Sequence, residues 1–331
     1  MKKRIILALA MCILPVIQSC IGGKETLSIE EDREISLTLK SSDEPSDKEV
    51  LGRAESIIRR AWVYAFADGR FVGMADLDDI DRDSFTIPDF RVPKTGSLMI
   101  YVLANPAGIN NLALVNDQAA FADMSYSMSA SFPSGTAFNS SASFSSDSFC
   151  LPAFGQTDSP LDVSGDGPFS VTVPVTRSLA RVDVLLRRTE NTQEISIDDR
   201  SGLSISNTRE YGFLSPFQVA SESSLKDIRD AVMGPETPLQ VGQDDPVRAY
   251  TFYTPERECG EKMLGFSMSG VLVGNSRKDY SGITVGNGHI SRIERNKIYK
   301  ITCTFTPTSV TPEIAVKVED WDSKNAAIIF N

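Results

Sequence analysis

Apolar residues recur at every second position through most of the chain, the spacing of strands that bury one face. Ile35, Leu37 and Leu39 alternate with Ser36 and Thr38, and Trp62, Tyr64 and Phe66 share one face of the next run. Residues 98–103, Leu-Met-Ile-Tyr-Val-Leu, are apolar on both faces and predict a central strand. Phe169, Val171, Val173 and Val175 alternate with polar residues and Pro174. Proline has no N–H to give a ladder, so this strand is expected at an edge or with an irregularity. Ala180, Val182, Val184 and Leu186 alternate with Arg181, Asp183 and Arg187. Near the end, Tyr299, Ile301, Cys303 and Phe305 alternate with Lys300, Thr302 and Thr304, and Ile314, Val316 and Val318 with Ala315, Lys317 and Glu319.

Helical spacing is rare. Short helices are predicted over residues 116–124 and 223–233. In the second, Leu225, Ile228 and Val232 share a helical face, serines offer caps, and Gly234-Pro235 ends it. Closely spaced strands with turn residues between them predict antiparallel β-sandwiches rather than a parallel α/β sheet. Residues 125–149 mix serines with Phe132, Phe138, Phe144 and Phe149. They read as a long surface loop whose aromatics pack locally, the alternative being an adhesive or subunit-contacting loop. The Gly-, Pro- and Asp-rich residues 158–168 and the strand pair after them predict a domain boundary near Thr176.

Charge narrows the function classes. The 331 residues carry 44 acidic and 33 basic side chains, a net charge of −11. Phosphate binding needs clustered Lys and Arg, so a nucleic-acid partner is excluded. The single histidine, His289, sits in a turn composition, Gly286-Asn287-Gly288-His289. One histidine without a cysteine partner makes no His-based metal site. Residues 265–270 approach a nucleophile-elbow motif but miss its last glycine and lie in a strand pattern. No phosphate-binding or dinucleotide glycine fingerprint is present. Asp76, Asp78, Asp79, Asp81 and Asp83 crowd one stretch. Read as a calcium loop from Asp79, it has Ser84 where glycine is needed and Phe90 where glutamate is needed, so a solvated acidic loop is expected. No catalytic residue, metal or cofactor is expected.

The beginning of the chain reads as a targeting segment. Lys2, Lys3 and Arg4 precede an apolar run over residues 5–17, shorter than the roughly 20 residues a spanning helix needs. Ser19-Cys20 follows, a small residue directly before cysteine, which looks like a bacterial lipobox. Residues 1–19 are thus expected to be a lipoprotein signal peptide, with Cys20 carrying acyl chains that hold the chain on a membrane. Cys150, Cys259 and Cys303 remain. Cys303 is expected as a small apolar residue in a strand, and a disulfide between two of the three stays open.

Several stretches resemble, in order and spacing, the fimbrillin families of Bacteroidales, the subunits of type V pili. They are the lipobox at Cys20; Ile35-Ser-Leu-Thr-Leu-Lys40 followed by a polar stretch, Ile57-Ile58 and Trp62-Val-Tyr-Ala-Phe66; Thr176-Arg-Ser-Leu-Ala-Arg-Val-Asp-Val184; and Arg295-Asn-Lys-Ile-Tyr-Lys-Ile301 with a closing Asp320-Trp321. The resemblance implies a mainly β fold of two antiparallel, transthyretin-like β-sandwich domains, residues 20–175 and 176–331, with a few short helices. It implies export to the outer membrane, removal of the first strand by an arginine-specific protease, and insertion of a neighbour's C-terminal strand. Arg53 is the best candidate for the cleaved bond, with Arg59 and Arg60 behind it because they abut a strand. Ile314, Val316 and Val318, or Ile328 and Phe330, would supply the donor strand. The expected partners are other pilus subunits, the outer membrane through Cys20, and a host or bacterial surface ligand. A tip or accessory role and a shaft role stand level, with the anchor subunit third. The rival reading is a non-polymerising surface lipoprotein that binds a glycan or host protein.

Overall fold

The structure, a computed structural model, describes residues 32–41, 55–110, 112–133, 135–139, 149, 151–221, 225–286, 290–308, 310–321 and 327–330, the last for their backbone path. Cys20, Arg53, Phe144, Cys150 and His289 lie outside them.

The first half of the chain runs through β1 (Asp32–Ser41), β2 (Ala61–Ala67), β3 (Arg70–Leu77), β4 (Ser84–Pro93) and β5 (Leu98–Ala104). Helix α1 (Ala120–Asp123), β6 (Ser125–Ser127), helix α2 (Met128–Ser131) and β7 (Ala137–Asn139) follow, then β8 (Ala153–Gln156) and β9 (Phe169–Arg177). Seven of these strands form one sheet in the order β3-β2-β5-β8-β9-β1-β4, antiparallel except between β1 and β9. Its inner core takes Ile35, Leu37, Val63, Ile100, Val102, Val171 and Val173 from this one sheet, which therefore folds over on itself.

The second half opens with β10 (Leu179–Arg188), β11 (Ile195–Ile197), β12 (Gly202–Arg209), β13 (Tyr211–Phe213), β14 (Leu225–Met233), β15 (Leu239–Gln240) and β16 (Val247–Pro255). It continues through β17 (Arg257–Glu258), β18 (Gly265–Val273), β19 (Ser276–Thr284), β20 (Arg292–Ile293), β21 (Lys297–Phe305), β22 (Glu313–Asp320) and β23 (Ala327–Phe330). One sheet has the order β23-β22-β21-β10-β16-β7, and a second has the order β14-β12-β18-β11-β15 with β19 beside β18. They face each other across Val182, Val184, Phe252 and Ile301 on one side and Leu203, Ile205, Phe266 and Met268 on the other. The protein is mainly β, and no helix among the described residues is long and apolar enough to cross a membrane.

A third core joins the halves. β2 is buried on both faces: Val63 and Ala65 enter the first core, while Trp62, Tyr64 and Phe66 join Tyr101, Phe121, Leu179, Tyr253, Ile298 and Trp321. That two-sided burial is why residues 61–67 carry almost no polar side chain.

Three sequence expectations are corrected. Residues 225–233 form a strand, β14, not a helix. Ile228 and Val232 are four apart, a spacing that puts them on one face of either element, and pairing with β12 through two bulges decides for the strand. The described part of 125–149 is not a loop packed only on itself: Phe132 and Phe149 are buried, Phe132 stacks on Tyr253 and Phe149 lies tilted against it, and β7 joins the edge of the second-half sheet beside β16. The strand holding Pro174 lies between β8 and β1, but the β8 ladder stops at Val175, so Pro174 stands where that side of β9 is open, as its missing N–H led one to expect. The predicted helix at 116–124 shortens to α1.

Candidate functional site

Strand β1 lies between two neighbours yet joins the described body only through residues 42–54. It runs parallel to β9, from Ile35 opposite Phe169 to Ser41 opposite Val175, and antiparallel to β4, from Asp32 opposite Pro93 to Lys40 opposite Ser84. Ile35, Leu37 and Leu39 have no exposed surface, while Glu34 and Lys40 face solvent. Each buried aliphatic side chain contributes about 1.5–3 kcal/mol. Polar contacts on the other face are few: Arg33 with Asp166 at 2.7 Å, Arg91 with Glu34 at 3.1 Å, and the Thr38 and Thr86 hydroxyls at 2.9 Å. Exposed ion pairs of this kind add little. Affinity for the slot therefore comes from two backbone ladders and three apolar side chains at alternate positions.

At the other end, β23 pairs with β22 alone, Val316 opposite Phe330 and Val318 opposite Ile328, and forms the sheet edge. β22 is interior, held on its other side by β21. Val316 belongs to the core, Ile314 and Val318 pack against it, and Lys300 holds Glu319 at 2.7 Å. The five predicted donor residues thus fall on two strands of different standing. Ile314, Val316 and Val318 lie in the interior strand, and Ile328 and Phe330 in the edge strand.

Between these ends lies a buried polar cluster that sequence reasoning missed. Glu55 accepts from the Tyr253 hydroxyl at 2.6 Å and from Arg181 Nη1 at 3.1 Å. Arg181 also donates to Asp183 at 2.9 and 2.8 Å, and Thr251 donates to Asp183 at 2.6 Å. Burial works against the charge on Arg181, but the Glu55 and Asp183 carboxylates outweigh it and raise its pKa. Burial first, then Glu55, lifts the Tyr253 phenol well above its ordinary value, so it stays a donor. Arg177 Nε donates to the Glu55 carbonyl at 2.8 Å, and its guanidinium lies 4.6 Å from the centre of the Trp321 ring, which stacks on Tyr253. The available signal was Arg181-x-Asp183, two opposite charges on one face of a strand.

Among the described residues no group of three or more His, Cys, Asp or Glu side chains could hold a metal ion. Arg60 pairs with Asp76 at 2.9 Å and with Asp78 at 2.9 Å, so part of the acidic stretch is neutralised. Cys259 and Cys303 are buried free thiols, and burial pushes the Cys303 pKa up to about 12. Residues 265–270 lie in β18. A cleft of about 390 Å³ between α2 and β14 is floored by Met128, Phe132 and Ile228 and rimmed by Arg209, Lys226 and Arg229.

The chain matches no family's sequence profile, and no curated protein matches it in sequence. Solved structures do match. The tip fimbrial protein Mfa3 of Porphyromonas gingivalis superposes with a TM-score of 0.54 at 14% identity, over 88% of this chain and 100% of that one. The fimbrilin FimA of the same species gives 0.53 at 12%, over 86% and 96%. A fimbrial assembly protein of Parabacteroides distasonis gives 0.52 at 16%, over 91% and 100%. At these identities the likeness is one of fold, and over nearly its whole length the chain has the fold of Bacteroidales fimbrial proteins.

Proposed function

We propose that the protein is a subunit of a cell-surface pilus, built to lose its first strand and to accept a strand from another copy in its place. The observation that carries this reading is β1 itself: interior to its sheet, apolar at alternate positions, and tied to the body by a single stretch of chain. One backbone cut within residues 42–54 frees it, leaving β4 and β9 unpaired about two strand spacings, roughly 9.5 Å, apart. An open sheet edge of that kind is a template for another strand. Arg53 is the proposed cut, and β23, an edge strand, is the favoured donor over β22.

In this account Cys20 carries the lipid that delivers the precursor to the outer membrane, and the domains divide near Thr176. The subunit serves the tip or shaft and supports adhesion. The fimbrial and adhesion names of proteins sharing this fold support the reading. The test is N-terminal sequencing of the protein extracted from the cell surface. A chain starting at Ala54 is expected. A chain still starting at a blocked Cys20 in assembled material contradicts it.

A further inference from the structure

Glu55 is the first described residue after β1 and Trp321 the last before β23, and both are buried in one cluster. The Glu55 carboxylate is held by Tyr253 and Arg181, and its carbonyl by Arg177 at 2.8 Å. The Trp321 backbone N–H donates to the Asn296 carbonyl at 3.0 Å, and the Trp321 ring packs on the Arg177 guanidinium and on Tyr253. Arg177 Nη1 also donates to the Asn296 side chain at 3.4 Å. A single guanidinium, at the end of the strand that flanks β1, therefore contacts both Glu55 and Trp321. A second device stands beside it. Asn105, in the left-handed region at φ 49°, accepts from the Arg59 N–H at 2.9 Å and donates to the carbonyls of Ile57 and Leu151 at 2.9 and 3.0 Å.

We propose that the Glu55–Arg177–Tyr253–Trp321 cluster is a shared clamp that fixes the limits of both exchangeable ends, Glu55 as the first residue held and Trp321 as the last. The inference rests on the strand-exchange reading above and adds what bounds it. Processing stops before Glu55 because a protease needs an extended, accessible stretch, and the carboxylate beyond is buried in ion pairs. Arg59 and Arg60 are spared by the clamp and by the Asn105 clip. On the other side, release of β23 ends at Trp321, so β22 stays in its sheet. Glu55, Arg177 and Trp321 act as positioning residues: they select which segments leave and take no part in the cut.

The test uses the full chain as wild type, Glu55→Gln and Trp321→Ala, with two readouts: arginine-specific proteolysis followed by intact mass, and hydrogen exchange. Wild type is expected to be cut only within residues 42–54 and to exchange slowly over β22. Glu55→Gln is expected to raise cleavage after Arg59 or Arg60 about a hundredfold, because that cleavage follows the population of the opened segment. Trp321→Ala is expected to speed exchange over residues 313–320 at least about tenfold while β10 stays protected. If Glu55→Gln does not fold, Tyr253→Phe removes one bond to the same carboxylate and takes its place. Folded variants that keep the wild-type fragments and the wild-type exchange overturn the clamp. A wild type that is never cut before Glu55 counts instead against strand removal, and the exchange data then decide the clamp alone.

Discussion

Leu37 stands at the middle of β1 with its side chain wholly enclosed, so Leu37→Ala is expected to cost the unprocessed chain about 2–5 kcal/mol in a urea melt. The same substitution cannot matter to a chain that begins at Ala54, and that difference separates a removable strand from an ordinary core strand. Cys303 supplies a pH dependence. Its folded pKa of about 12 lies above the roughly 8.5 of a free thiol, so its contribution is complete below the lower value and is lost as pH rises through the higher one. Between them stability falls by about 1.4 kcal/mol per pH unit from this group. Urea midpoints at pH 7.5 and pH 10 are expected to fall less in Cys303→Ala than in wild type. Buried tyrosines such as Tyr126 and Tyr299, raised above their usual range by loss of water, add to the drop in both. At this scale alternation made the apolar contacts legible, Ile35, Leu37 and Leu39 among them. The polar ones were not: Arg181 and Asp183 occupy positions that read as a solvated face, and only the approach of Glu55, more than a hundred residues away in sequence, makes that face an interior.

Elements bounded by strict alternation were legible, and β1, β9, β10, β21 and β22 fall where the pattern puts them. β14 was not, because Ile228 and Val232 satisfy both periods and the deciding fact is a bulged pairing with β12 that no local spacing reveals. β7 is three residues long and takes its place from β16. The two C-terminal strands differ in their place in the sheet, β22 interior and β23 at the edge. Truncation after residue 326 removes an edge strand and is expected to leave the melting temperature within a few degrees of wild type. Truncation after residue 312 also removes β22, opens the core at Val316 and strips β21 of a partner, and is expected to abolish cooperative unfolding. Thermal melts of the two truncated chains check this, and equal losses would mean that β23 is as fixed as β22.

At the scale of the molecule, each half opens with a strand lying parallel to a later one, β1 beside β9 and β10 beside β21. β10 continues on both sides into described strands, whereas β1 is followed by residues 42–54 before the next described residue, Glu55, and the proposed exchange uses that difference. The aromatic core with Trp62, Tyr64, Tyr253 and Trp321 joins the two halves without any side chain of β1. At 12–16% identity, the likeness to fimbrial proteins is one of fold.

The central claim is that β1 holds a place meant for a strand of another copy. Its most direct measurement is native gel electrophoresis and light scattering of the chain before and after arginine-specific cleavage, with and without residues 327–331. The account predicts a ladder of detergent-resistant multimers only from chains that have lost β1 and kept their last strand. Cleaved chains that stay monomeric at high concentration, or uncleaved chains that form the same ladder, would contradict it.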